Sequence, residues 1–207
     1  MARHPKPDGR KRPSRESRLG RRTEHRAPRL RLLVVCGAEV TEYDYVQGLK
    51  GAARNSAVSI KVVTHPKAPS QVVAYTAKLF GESDDAYDAA WCVVDVDEFT
   101  DLADALGEAE RQGIGIALSN PCFEVWLLLH FTDHHKHMPS YAQLAPLLSR
   151  HVPGGYSKTG LDFRHYASGW TEAVRRARLL APEGKELEVN PSTGMWKLAL
   201  AIGGPAQ

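Results

Sequence analysis

Long apolar runs are missing from this sequence. A membrane-spanning helix needs about 20 predominantly apolar residues, and the longest apolar stretches here are far shorter and end in charged or His-rich sequence. No membrane span is therefore expected. No apolar segment with a small-residue cleavage site follows the basic N-terminus, so no secretory leader is expected either. Cysteine is scarce. Cys36, Cys92 and Cys122 are an odd count, each embedded in apolar sequence, which excludes a disulfide framework and suits small core residues of a cytoplasmic protein. No internal repeat is visible. The 207 residues are enough for one sizeable core and a small appendage.

Charge is present but unevenly spread. Residues 1–31 hold 12 Lys/Arg against 3 Asp/Glu, whereas the rest holds 15 against 21. A basic head on a mildly acidic body suits a nucleic-acid contact, with Arg10, Lys11, Arg12, Arg21 and Arg22 as candidate phosphate-binding residues. A solvated leader would look much the same. Residues 1–28 carry too few aliphatic side chains to bury a core and are expected to be disordered when free.

Order is expected from Leu30. Leu30–Cys36 is a short apolar run of the kind that forms a strand buried on both faces. Thr41 is placed to cap a helix reaching about Ala53, Val58–Val63 is rich in β-branched residues, and Ser70 is placed to cap a second helix. Ala90–Val94 forms a third strand, and a helix opening at Phe99 or Thr100 runs to Gln112 before Gly113 ends it. Ile114–Leu118 is the fourth strand. Asn120 as cap and Pro121 as first helical residue open a buried helix to about Phe131. The β-α-β-α-β-α-β order predicts an α/β fold, a mostly parallel sheet of about four strands flanked by helices. Residues 132–200 read as a helical extension of the 29–131 core within a single 29–200 domain.

The chemistry is expected at the strand ends, because ligands bind beyond the carboxyl ends of strands in open α/β sheets. Asp95, Asp97 and Glu98 follow strand three, and Glu39, Glu42 and Asp44 follow strand one. Clustered carboxylates stay ionised together only with a cation among them, and Mg²⁺ is the usual partner of oxygen-only ligands. Helix capping would also account for an acid after a strand. Glu124 stands in an otherwise apolar helix and needs a partner there. His134, His135 and His137 lack a zinc spacing and read as an exposed loop. Cys122 makes a poor nucleophile in apolar surroundings. Lys158 follows a Gly-Gly turn without the Walker spacing and is kept as a single phosphate contact. No Lys follows a late strand, which argues against a phosphoacceptor domain.

Together these segments resemble the RloB family, whose core is a Toprim-like domain. The resemblance spans about Leu30–Leu200. It rests on Cys36-Gly37-Ala38-Glu39-Val40-Thr41-Glu42, Asp95-Val96-Asp97-Glu98, Asn120-Pro121-Cys122-Phe123-Glu124, Tyr156-Ser157-Lys158 and Asn190-Pro191-Ser192-Thr193. It implies a Mg²⁺- or Mn²⁺-dependent nuclease acting on DNA or RNA. Asp95 and Asp97 would hold the metal, Glu42 or Glu39 would be the further ligand, and Asn120, Glu124 and Glu98 would support them. It also implies a setting in restriction or phage defence, including abortive infection, with an ATPase and self-association as possible partners. One departure stands out: Gly37 occupies the place of the Toprim Glu, and Glu42 is expected to take over its role. The alternative is a catalytically weak Toprim-like module that binds nucleic acid or the ATPase.

Overall fold

The computed structural model describes residues 29–204 apart from 54, 56, 83–86 and 97–98. The apolar runs form the strands β1 (Leu30–Cys36), β2 (Val58–Thr64), β3 (Ala89–Asp95) and β4 (Gly115–Asn120). They pair in parallel, and a two-residue strand, β5 (Ser192–Thr193), closes the sheet antiparallel to β4. The order is β2-β1-β3-β4-β5. Chain direction across the sheet therefore switches between β1 and β3, where a crevice opens at the strand ends.

Alternation along the strands sends side chains to two cores. Leu33, Val35, Ala90, Cys92, Val94 and Leu118 pack beneath α2 (Pro69–Glu82) and α3 (Leu102–Arg111). Leu32, Val34, Cys36, Val93 and Ala117 face the other way, against α1 (Thr41–Ala53) and α4 (Glu124–Leu128). That second core continues into α5 (Tyr141–Ser149), α6 (Trp170–Leu180) and α7 (Met195–Gly203). The later helices thus share the apolar cluster of the first half. Among the described residues, no helix is long and apolar enough to cross a membrane.

Several local expectations need correction. Thr41 lies inside α1, and its hydroxyl donates to the Lys158 carbonyl at 2.7 Å instead of capping the helix. The second helix already begins at Pro69, and the Ser70 amide donates to Asp101 Oδ2 at 2.9 Å. Asp101 therefore serves the start of α2 while α3 opens after it at Leu102. The helix expected from Pro121 is only Glu124–Leu128, followed by turns to Thr132. Asn120 ends β4 and caps nothing. Its amide donates to the Glu186 and Leu187 carbonyls, and its oxygen accepts from Asn190. The basic head, with Arg10, Lys11, Arg12, Arg21 and Arg22, lies outside the described residues.

Close approach of α1 to the 3₁₀ turn Phe163–His165 needs a residue without a side chain at position 48. A Cβ on Gly48 would stand 2.2 Å from the Phe163 Cβ. Gly48→Ala is expected to cost ~1–3 kcal/mol through forced displacement of that ring, despite alanine's better helix propensity. Chemical denaturation of the two proteins checks it.

Candidate functional site

The crevice between the ends of β1 and β3 holds a cavity of about 300 Å³, lined by Gly37, Ala38, Glu42, Lys67, Pro69, Val94, Asp95, Phe99 and Lys158. Two acids, Glu42 and Asp95, line it, and a third, Glu124, lies close behind them. Val93 faces the α1 core, so Asp95, two residues further along β3, leaves the sheet on the same side. Glu42 reaches down from the first turn of α1, and Glu124 opens α4.

Glu42 is 2 % exposed. Its Oε2 accepts from the Ala38 amide at 3.0 Å, so the carboxylate folds back over the turn that follows β1. Position 37 offers little space of its own: an added Cβ would meet the Val93 carbonyl oxygen at 3.1 Å. The acid therefore arrives from one helical turn later. Burial raises the Glu42 carboxyl to about 8, the Ala38 amide partly offsetting it and the charge of Glu124 adding to it.

Asp95 is half-buried as a residue, yet its Oδ1 is sealed from solvent and has no hydrogen-bond partner. Burial first, then the charges of Glu42 and Glu124, push its carboxyl well above the usual range, while the Phe123 amide pulls the other way. A buried acceptor without a donor is costly. Beside two further carboxylates, a cation there would relieve both the missing donor and the mutual repulsion.

Glu124 has partners. Tyr156 donates its hydroxyl to Oε1 at 2.7 Å, and Lys158 Nζ stands 4.0 Å from the same oxygen. The Lys158 ammonium also lies 3.9 Å from the centre of the Tyr141 ring, which makes the pair with Glu124 only one of its attachments. Cys122 is held as a thiol by burial and by the neighbouring Glu124 and Asp95, so it is no nucleophile.

Other expected residues lie elsewhere. Glu39 is exposed and faces a separate surface hollow with Tyr43 and Lys61; the structure does not bring it to Asp95. Asn120 ties β4 to the segment around Asn190, which bonds both Asn120 and Met138. Asp97 and Glu98 lie outside the described residues. His134 and His135 border a shallow hollow with Met138 and Leu147. Among the described residues, no three His, Cys, Asp or Glu side chains form a group that could hold a metal ion.

Behind the site Tyr45, 0 % exposed, bonds His130 Nε2 at 3.0 Å, and the other ring nitrogen of His130 lies 2.9 Å from the Trp126 carbonyl oxygen. Burial lowers His130 to about 3, so it is a neutral strut between α1 and α4. Lys67 and Phe99 were not singled out from the sequence. The one available signal was that both follow strands, β2 and β3, at the carboxyl edge of the sheet.

Comparison with curated proteins and with solved structures finds no match for this chain. The family model described as RloB-like protein matches residues 32–202. That span takes in every strand and helix except the first residues of β1 and the last of α7, and the chain belongs to the RloB-like family.

Proposed function

We propose that this protein is a metal-dependent nuclease of Toprim type, cleaving phosphodiester bonds in DNA or RNA. The observation that supports it best is the lone buried Asp95 Oδ1 beside Glu42 and Glu124, on a cavity at the β1–β3 crevice. Hard oxygen donors of this kind suit Mg²⁺ or Mn²⁺. Asp95 and Glu42 would hold the ion, with Glu124 supporting them and Asp97 retained from the sequence pattern. A bound divalent ion would stabilise charge on the phosphoryl oxygens and acidify a water.

The protein's own groups supply the rest. Glu42 is placed to take a proton from an attacking water or to serve as a further ligand. Tyr156 fixes Glu124 by its hydroxyl bond, and the Lys158 ammonium, loosely paired with Glu124 and largely exposed, is placed to meet a phosphate. Service in anti-phage defence, with an ATPase partner and possible self-association, belongs to the same proposal.

The test is incubation of tRNA, single-stranded DNA and duplex DNA with the full chain in Mg²⁺, Mn²⁺ or chelator. Cleavage that requires the ion and disappears in the double variant Asp95→Asn, Asp97→Asn supports the reading. Cleavage that survives both substitutions rules out the mechanism. A second reading, a binding module without cleavage, draws on the lack of a ready three-ligand group among the described residues. Calorimetry separates the two, because a nuclease must bind Mg²⁺ or Mn²⁺ near millimolar concentration.

A further inference from the structure

We propose that the cavity accepts a nucleic-acid strand only when it is single or splayed, with Phe99 stacking a base at the mouth and Lys67 gripping a phosphate opposite Lys158. This rests on the phosphodiester reading above and narrows its substrate to unpaired strands, loops and strand ends.

Depth is the first argument. Glu42 is 2 % exposed and Asp95 Oδ1 is sealed from solvent, so the acids lie on the floor and not on an open surface. A cavity of about 300 Å³ stands at the small end of ligand pockets. A base-paired helix carries its phosphates on a broad convex surface, which cannot descend to such a floor. A single strand can bend one phosphate inward.

The rim is the second argument. Large apolar side chains exposed among the described residues are Leu30, Phe99 and Leu179. Isolated exposed apolar groups need no explanation. Phe99, a residue 41 % exposed, differs because it borders the very cavity that the acids line. Aromatic rings beside a cationic groove are the general device for unpaired bases, since every base has a π-face to offer.

Charge is the third. Lys67 and Lys158 both line the cavity and both are exposed. Lys158 leans on Glu124 and Tyr141, whereas Lys67 has no carboxylate partner among the described residues. It comes from the loop after β2, and Lys158 from the loop latched to α1 by Thr41. Two ammonium groups on separate loops can take successive phosphates of one strand. The start of α2 is not the anion site, because the Ser70 amide is already taken by Asp101.

Binding is measured by fluorescence anisotropy on the full-length Asp95→Asn chain, which separates affinity from turnover. The probes are labelled oligonucleotides of equal length: single-stranded, blunt duplex, and duplex with an overhang. The single strand and the overhang are expected to bind about tenfold or more tightly than the blunt duplex at equal salt. Phe99→Ala is expected to weaken single-strand binding ~10-fold while Phe99→Trp retains it. Lys67→Ala is expected to lower the salt slope by roughly 0.7, the loss of one phosphate contact. Blunt duplex binding as well as the single strand, or Phe99→Ala leaving single-strand affinity intact, overturns the inference. Single-strand preference without metal-dependent cleavage by the parent protein would instead defeat the nuclease reading and leave this one standing. Absence of binding to all three probes overturns the inference, while the nuclease reading stands or falls with the cleavage assay.

Discussion

Asp95→Asn is expected to produce a protein that melts higher than its parent in chelator yet has lost nearly all metal-dependent cleavage. Both effects have one cause. The parent carboxyl is held well above its ordinary range by burial and by the charges of Glu42 and Glu124, so each ionisation of Asp95 in the folded state opposes folding. An amide has the same shape, keeps an oxygen for the Phe123 amide that now bonds the carboxylate, and brings no charge. Relief of this kind is worth ~1–2 kcal/mol, or a few degrees for a chain of this size.

The activity loss should be far larger. A divalent ion contributes several kcal/mol of transition-state stabilisation, and each ~1.4 kcal/mol is tenfold in rate, so removal of the ligand proposed for it is expected to cost on the order of 10³-fold. Differential scanning fluorimetry and a cleavage assay on the same preparation check the pair of outcomes. A lower melting temperature with activity intact would make Asp95 an ordinary structural acid. Stability and function pulling apart at one residue is the mark of a site in which strain is retained for chemistry.

The strands were the most legible part of the sequence. β1, β3 and β4 are dense apolar runs between turn residues, and burial on both faces leaves little room for another reading. β2, at the sheet edge with Ser59 and Lys61 exposed, is legible only from its β-branched residues. β5 was not legible: two residues carry no period, and Ser192 and Thr193 are a strand only because Ser119 and Asn120 offer them an edge. Asn120 misleads for a related reason. Asn before Pro has the local chemistry of a helix start, but its side chain is committed to Glu186, Leu187 and Asn190, more than 60 residues away. Long-range hydrogen bonds outrank local capping wherever they are buried, and sequence spacing does not register them.

At the site, a strand-end acid such as Asp95 could be picked out from its place after an apolar run. Glu42 and Glu39 are three residues apart and equal in chemistry. The helical turn beginning at Thr41 decides between them, since it carries Glu42 back over Ala38 and leaves Glu39 facing solvent. Lys67 and Phe99 have only their places after β2 and β3 to announce them. They become neighbours of the acids only because the switch in strand order sets the loops after β2, β1 and β3 around one crevice.

In chelator, stability is expected to fall as pH rises, most steeply between about 6.5 and 8, and Mg²⁺ should reverse the fall. The folded-state pKa of Glu42 is about 8 against an ordinary 4.5. Between those values the folded chain holds a proton that the unfolded chain has released. Unfolding free energy therefore decreases with pH by up to ~1.4 kcal/mol per unit. Asp95 is raised as well and acts in the same direction. His130 opposes them, but only at lower pH. Its pKa is lowered to about 3 from 6.5, so below 6.5 the unfolded chain takes up a proton that the folded chain refuses, and stability there rises with pH. Above 6.5 that compensation is spent and the acids act alone. Asp88 and Asp162 are lowered by their arginine partners and work only below the ordinary carboxylate range, outside this window. A bound divalent ion takes the place of the protons, and its hold strengthens as they leave. At a hundredfold excess over its dissociation constant it adds ~2.7 kcal/mol, enough to raise the melting temperature by several degrees at pH 8 and by much less at pH 6. Melting curves across that range with and without Mg²⁺ decide it, and a chelated protein equally stable at pH 6.5 and 8 would mean that Glu42 and Asp95 do not share protons in one buried cluster.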